Sequence, residues 1–316
     1  MKTLRYLAGR LLHGTLLLIG VSLLCFLLMV EFGPDQTWQL LGRHASPEQV
    51  AQLRGELGQD RPFMTRYADF LADLATLDLG ASNASGEAVT ALLRRSLPIT
   101  LLLVLPPFIL GNLLGLGLGM AAARRQGRWL DRLISAGSVL SMSLSFLVII
   151  IVLQVLLCTP YGLDLFPARG WEVRGPVSYL AYATVPGLAL VLVTLGYNTR
   201  FFRAVFIEEL GRDHIRTARA FGASTAEILA RNVLKNSLAP VLTRLLFSIP
   251  LVVVSGSLLL ETYFGIPGLG RVTFDAISNG DQPVLLAVVS LTAVLFVLLQ
   301  LLADFLYRLA DPRIAA

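Results

Sequence analysis

DHIRTARAFGAS, residues Asp213 to Ser224, carries three charges, a histidine and a glycine turn, yet it lies between apolar runs at Ser178–Thr199 and Leu245–Leu260. A chain that crosses hydrocarbon must satisfy every backbone polar group internally, so a stretch this polar has to sit outside it. The neighbouring residues say how. Phe201, Phe202, Val205, Phe206 and Leu210 continue an apolar helix face out of the preceding run, and no proline interrupts the chain up to Phe221. Gly222 then supplies a helix C-terminus. Ser224-Thr225-Ala226-Glu227 has the spacing of a capping box that opens the next helix, whose apolar face would be Ile228, Leu229, Val233, Leu234 and Leu238 before Pro240. The segment therefore reads as helix, tight turn, helix.

Working outward, the chain has 316 residues, of which 55% are hydrophobic and 15% charged. The apolar residues fall in runs long enough to cross a bilayer, which takes about 20 residues. Six spans are expected: Leu11–Val30, Leu97–Ala123, Leu133–Cys158, Ser178–Thr199, Leu245–Leu260 and Pro283–Ala303. The fifth is expected to begin near Ala239, with Arg244 reaching toward headgroups. The first reads as a retained span, since its apolar region is long and no small-residue cleavage site follows. Placing the N-terminus inside puts residues 1–10, 124–132, 200–244 and 304–316 on one side, with 17 Lys and Arg against 7 Asp and Glu. The other side keeps 9 basic and 14 acidic residues. That asymmetry follows the positive-inside bias, puts both termini in the cytoplasm, and accounts for the net charge of +5 without nucleic acid.

The chain divides into a first span (1–31), a polar segment (32–96), a five-span region (97–310) holding the cytoplasmic loop 200–244, and a tail (311–316). In the polar segment, Ser46-Pro47-Glu48-Gln49 forms a helix start with Pro at its first position, and Gly58 can end that helix. Phe63, Tyr67, Phe70, Leu71 and Leu74 recur at helical spacing, so a small extracytoplasmic helical lobe is expected. Pro106-Pro107 should kink the second span, while Gly111, Gly115, Gly117 and Gly119 let helices approach closely. Sparse polar residues inside spans, Asn112, Gln154, Asn198 and Gln300, face protein or a solute path.

Several classes are disfavoured. A DNA-binding helix-turn-helix would be pinned at the bilayer by spans on both sides, and a loop adsorbed on anionic lipid competes with a docking element for a protein. No chain of intramembrane Asp, Glu or His suggests proton coupling, against a stand-alone secondary transporter or channel. Cys25 and Cys158 read as small apolar residues, and His13, His44 and His214 lack metal-ligand spacing, so no metal site is expected. A phosphate-binding loop needs a lysine after a glycine-rich turn; the two lysines, Lys2 and Lys235, do not follow glycine. The chain is not expected to be an enzyme or to bind a cofactor.

Asp213-His214-Ile215-Arg216-Thr217-Ala218-Arg219-Ala220-Phe221-Gly222 resembles the cytoplasmic signature of binding-protein-dependent ABC importer permeases, in the branch that carries dipeptides, oligopeptides or nickel. The resemblance extends through Arg231–Pro240, Glu261–Arg271, Asp311-Pro312-Arg313, Leu57–Pro62 and Leu79–Ser82. One span, an exposed lobe and five further spans is similar to the first of the two permease subunits. It implies an all-α polytopic membrane protein with a type I ABC importer-like, MetI-like permease core in a bacterial inner membrane. It also implies a second homologous permease, two cytoplasmic ATPase subunits that bind ATP and Mg, and an extracytoplasmic solute-binding protein, which would meet the lobe and the 263–282 connection. The ATPase-coupling loop would use Glu208, Glu209, Asp213, Arg216, Thr217, Ala218, Arg219, Ala220, Phe221, Gly222, Ser224 and Glu227. The sequence departs from the wider signature, Glu-Ala-Ala, at Arg216-Thr217-Ala218, from Pro-Gly-Asp-Pro at Phe32-Gly33-Pro34-Asp35, and lacks a proline in Met142–Phe146. Peptide import is the expected function, nickel or another small solute the alternative.

Overall fold

The computed structural model describes residues 2–33, 37, 41, 46–56, 58 and 60–310. His44, Pro34, Asp35, Leu57, Gln59 and the tail with Asp311-Pro312-Arg313 lie outside the described residues. The described chain is helical, and its isolated β-bridge joins Ala81 to Ala88. We number the helices α1 (Lys2–Glu31), α2 (Pro47–Glu56), α3 (Phe63–Thr76), α4 (Val89–Arg124), α5 (Trp129–Ser143), α6 (Phe146–Cys158), α7 (Pro176–Leu210), α8 (Asp213–Ala220), α9 (Thr225–Glu227), α10 (Leu238–Leu251), α11 (Ser257–Phe264), α12 (Leu269–Asn279) and α13 (Gln282–Ala310). Wide π-turns join α9 toward α10 at Ile228–Leu234 and α10 to α11 at Val252–Gly256.

Five stretches are long and apolar enough to cross a membrane: Leu12–Glu31, Val89–Arg124, Pro176–Leu210, Leu238–Phe264 and Gln282–Leu306. The third expected span, Leu133–Cys158, is not one straight helix. It is α5 and α6, bent by 99° across Leu144-Ser145, where the backbone is extended. The cause is local. Serine hydroxyls compete with the helix for carbonyls: Ser143 Oγ donates to Val139 O at 2.8 Å, and Ser141 Oγ leaves its own helix for Leu192 O at 2.6 Å. The fifth span begins at Leu238, beside the expected start near Ala239, and runs four residues past Leu260 to Phe264, because α10, the π-turn and α11 stack into one apolar length. Helical backbone continues through Pro106-Pro107 in α4.

The chain divides into two compact units, Met1–Ile99 with Pro267–Leu301, and Thr100–Ile266 with Leu302–Ala316. In the first, α2 opens as the sequence indicates: Gln49 N–H donates to Ser46 Oγ at 3.3 Å while Ser46 N–H donates to Gln49 Oε1 at 3.0 Å. Gly58 turns the chain with φ +63°. The aromatic face of α3 packs on α1, with Phe63, Tyr67 and Phe70 ringed around Phe26 at centroid distances of 5.2 to 5.6 Å. Tyr67 Oη also donates to Ile19 O at 2.9 Å. Asp281, buried at the start of α13, accepts from Ser82 Oγ at 2.5 Å and from the N–H groups of Asn83 and Ala84. It thereby fixes the turn after Leu79–Ser82. The 263–282 connection is largely helical, since α12 buries Leu269, Thr273 and Ala276 against Val89, Leu93 and Val284.

The second unit is built on α7. Gly111, Gly115 and Gly119 of α4 form a stripe at four-residue spacing, and α7 lies directly on it. A Cβ at Gly119 would stand 3.0 Å from the Arg203 nitrogen, and one at Gly115 3.2 Å from Asn198 Cβ. The expectation that these glycines serve close packing holds, except for Gly117, which faces open space. Gly196 does the same toward α5, where a Cβ would stand 2.8 Å from Ser141 Oγ.

Candidate functional site

The helix leaving the fourth span does not run to Phe221. It stops at Leu210, and α8 is a separate helix that begins at Asp213. Gly211 is a poor helix residue, and the side chains around it favour the break. Glu209 is buried, with 4% of its side chain exposed, and gathers Arg212 Nε at 3.0 Å, His214 Nε2 at 3.2 Å and Asn236 Nδ2 at 3.0 Å. Glu209 is thus a brace that turns the chain and ties α8 to the segment before α10, whereas Glu208 is exposed and pairs with Arg212 at 3.5 Å.

An eight-residue helix has little stability of its own, so α8 depends on what it packs against. Ile215 supplies that anchor. It is fully buried among Phe202, Phe206, Ile228, Val233 and Val241, with Ala218 and Ala223 at the edge of the same cluster. The opposite side of α8 is open. Asp213, Arg216, Thr217, Arg219, Ala220, Phe221 and Gly222 are all exposed, Phe221 to 88%. Gly222 has φ +83°, a left-handed turn that favours glycine. Ser224 Oγ then accepts from Glu227 N–H at 3.2 Å, which caps the next helix. The other half of the capping box is not made: Glu227 reaches Arg231 at 2.7 Å instead. Arg216 pairs with Asp213 at 3.3 Å, with both side chains in solvent, a contact worth little to stability.

The four polar residues expected inside spans separate. Gln300 is half-buried on α13 in the first unit, and Gln154 donates to Ala168 O at 2.7 Å. Asn112 and Asn198 meet. Asn198 Nδ2 donates to Asn112 Oδ1 at 2.6 Å, and Asn112 Nδ2 donates to Phe108 O at 2.8 Å. The series continues to Arg244. Its Nε approaches Asn198 Oδ1 at 3.4 Å, and its guanidinium lies 5.7 Å from the Phe201 ring. Arg244 is therefore held by protein rather than extended toward headgroups. Sequence reading also missed the fork between Arg203 and Asp131, with Nε to Oδ1 at 2.5 Å and Nη2 to Oδ2 at 2.8 Å. The two residues lie 72 positions apart, and no local pattern joins them.

Comparison with known proteins gives one family. Residues 115–316 match the model described as "Binding-protein-dependent transport system inner membrane component", and residues 3–104 match its N-terminal counterpart. A putative peptide transport system permease protein of Brucella abortus (strain 2308) is 33% identical over 298 residues, 93% of each chain. A dipeptide transport system permease protein of Alkalihalophilus pseudofirmus is 30% identical, covering 98% of this chain and 99% of that one. A glutathione transport system permease protein of Salmonella typhimurium is 31% identical over 98% of this chain and 99% of the other. Among solved structures, a chain of the MetNI methionine ABC transporter in inward-facing conformations aligns with a TM-score of 0.57 at 20% identity. The alignment covers 70% of this chain and 96% of that one, which supports the fold.

Proposed function

The chain belongs to the binding-protein-dependent transport system inner membrane components, and from that premise we propose that it forms half of an ATP-driven import path for peptides. It is a multi-pass membrane permease of the ABC importer type, and membership implies an ATPase and a binding protein as partners. In our reading the path is completed by a second, homologous permease. Two ATPase subunits, which bind the ATP and Mg, sit under the two permeases, and an extracytoplasmic binding protein delivers the solute. The names of the relatives, peptide and dipeptide permeases among them, support peptides as the cargo.

One observation carries the coupling role: α8 is rigidly seated on its Ile215 side and fully open on its Arg219–Gly222 side. A surface that moves with the spans and is bare toward solvent suits a docking element. Phe221 provides an aromatic anchor, and Arg216, Arg219 and Asp213 provide charged hydrogen bonds that fix register. ATP-driven closure of the ATPases would push α8. The brace of Glu209, Arg212, His214 and Asn236 would pass that push to α7 and α10, biasing the spans between two arrangements.

Affinity purification from the native membrane tests this. Recovery of two ATPases and a second permease, with ATP-dependent uptake of labelled dipeptide in proteoliposomes, is the expected result. Recovery of the chain alone, or uptake of nickel in place of dipeptide, would overturn the assembly or the cargo respectively.

A further inference from the structure

Arg244 is a cation inside an apolar span. It lies six residues after the start of the Leu238–Phe264 stretch, about 9 Å along a helix. An ionised group within an apolar span is costly unless it is paired or faces a polar path. Arg244 touches the Asn198 carbonyl and the face of Phe201, and no carboxylate among the described residues pairs with it. Neither contact neutralises the charge. Both orient it.

The orientation is built in a fixed sequence. Phe108 O accepts from Asn112, whose carbonyl accepts from Asn198, whose carbonyl faces Arg244 Nε. Each amide spends its N–H on the preceding group, so the carbonyl of Asn198 is left for the guanidinium. Asn112 and Asn198 are themselves buried, and Gly115 brings the backbone of α4 against Asn198. With Nε engaged, the two terminal nitrogens form the part of the guanidinium fork that matches a carboxylate. Arg244 lines an open groove of about 480 Å³ together with Phe201, Pro240, Thr243, Phe247, Ser248 and Leu251. The hydroxyls of Thr243 and Ser248 bond to carbonyls of their own helix. The wall is therefore largely apolar with one fixed cation, the make-up of a site for an organic anion.

We propose that Arg244 reads the free carboxylate of the solute as it passes, with Asn198 and Asn112 as the positioning residues that hold the guanidinium toward the path. The proposal rests on the peptide reading above, and it makes the permease itself selective for solutes with a carboxylate.

The test uses the complete complex in proteoliposomes with its binding protein, and alanyl-phenylalanine as the probe. The permease carries Arg244→Cys in a Cys25→Ala, Cys158→Ala background. The thiol is modified after assembly with a cationic ethylammonium or an anionic ethylsulfonate methanethiosulfonate reagent. Uptake per ATP hydrolysed should fall about tenfold in the unmodified variant, the size of one charged hydrogen-bonded contact. The cationic adduct should restore most of it, and the anionic adduct should not. If Arg244→Cys does not assemble, Arg244→Lys and Arg244→Gln make the same comparison, Lys retaining more uptake than Gln. Equal effects of both adducts, or uptake insensitive to the charge at 244, would overturn the proposal. So would a charge effect confined to ATPase stimulation, which points to a contact with the second permease. Retention of phospholipid that depends on Arg244 while uptake does not, read by native mass spectrometry, would assign the guanidinium to a lipid phosphate instead. A wild-type complex that fails to take up the dipeptide would sink the peptide reading and this proposal together. A wild type that transports but ignores the charge at 244 sinks this proposal alone.

Discussion

Ile215 and Phe221 sit six residues apart on the same small helix and turn, one fully buried and the other 88% exposed. Truncating each should therefore produce opposite results. Ile215→Ala removes a branched side chain from a closed cluster and costs about 3 kcal/mol, within the range for such cavities. Because an eight-residue helix cannot hold itself together, that loss falls on local opening of the turn. The amides of Phe221, Gly222 and Ala223, which bond to Thr217, Arg219 and Ala218, should exchange with deuterium about a hundredfold faster. Phe221→Ala removes an exposed ring, so the stability of the chain should stay within about 0.5 kcal/mol. If Phe221 is the docking anchor, its loss should weaken ATPase binding by at least about 2 kcal/mol, or about 30-fold in Kd. Hydrogen exchange on the permease and titration of the ATPase onto it in detergent measure the two quantities separately. Unchanged ATPase affinity in Phe221→Ala, together with unchanged exchange in Ile215→Ala, would refute both halves of the reasoning.

Other sites give independent tests. Gly119→Leu should overpack the contact between α4 and α7 by about 1–3 kcal/mol, since a Cβ there already stands 3.0 Å from the backbone of α7, and should lower the thermal transition of the purified chain. Asp131→Asn breaks a fork in which 4% of the carboxylate side chain is exposed. It should destabilise by about 3 kcal/mol, and the swap of Asp131→Arg with Arg203→Asp should recover part of that loss in thermal unfolding. Asp281→Ala leaves Ser82 Oγ and the N–H groups of Asn83 and Ala84 without their acceptor. It should raise proteolytic cleavage in the 80–88 turn several-fold, about what losing a buried charged acceptor implies.

Much of this fold is legible from composition and local signals. The apolar runs mark the spans because a bilayer demands length, and Ser46, Gly58, Gly222 and Ser224 mark helix ends because their caps and turns need only near neighbours. The features that escape are long-range or competitive. The bend at Leu144-Ser145 comes from Ser141 and Ser143 choosing between carbonyls, with no proline to announce it. The break at Gly211 comes from Glu209 recruiting His214 and Asn236, so a residue that reads as a surface acid is the brace beneath the surface. Arg244 looks like a charge near the edge of a span until the fold brings Asn198, 46 positions away, to meet it. Of the expected coupling residues, those from Asp213 to Gly222 that face solvent form one patch, while Glu209 and Glu227 serve the framework.

The most direct measurement is ATP-driven accumulation of a labelled dipeptide in proteoliposomes containing the full assembly, comparing wild type with Gly222→Arg. At φ +83° with nothing within 4 Å of a Cβ, the arginine adds a strained, bulky charge to the exposed turn without entering the core. Coupling through the Gly222 turn predicts that accumulation and copurified ATPase are lost while the thermal transition of the permease moves little. Dipeptide uptake by the wild-type chain without any ATPase, or uptake untouched by Gly222→Arg, would contradict it.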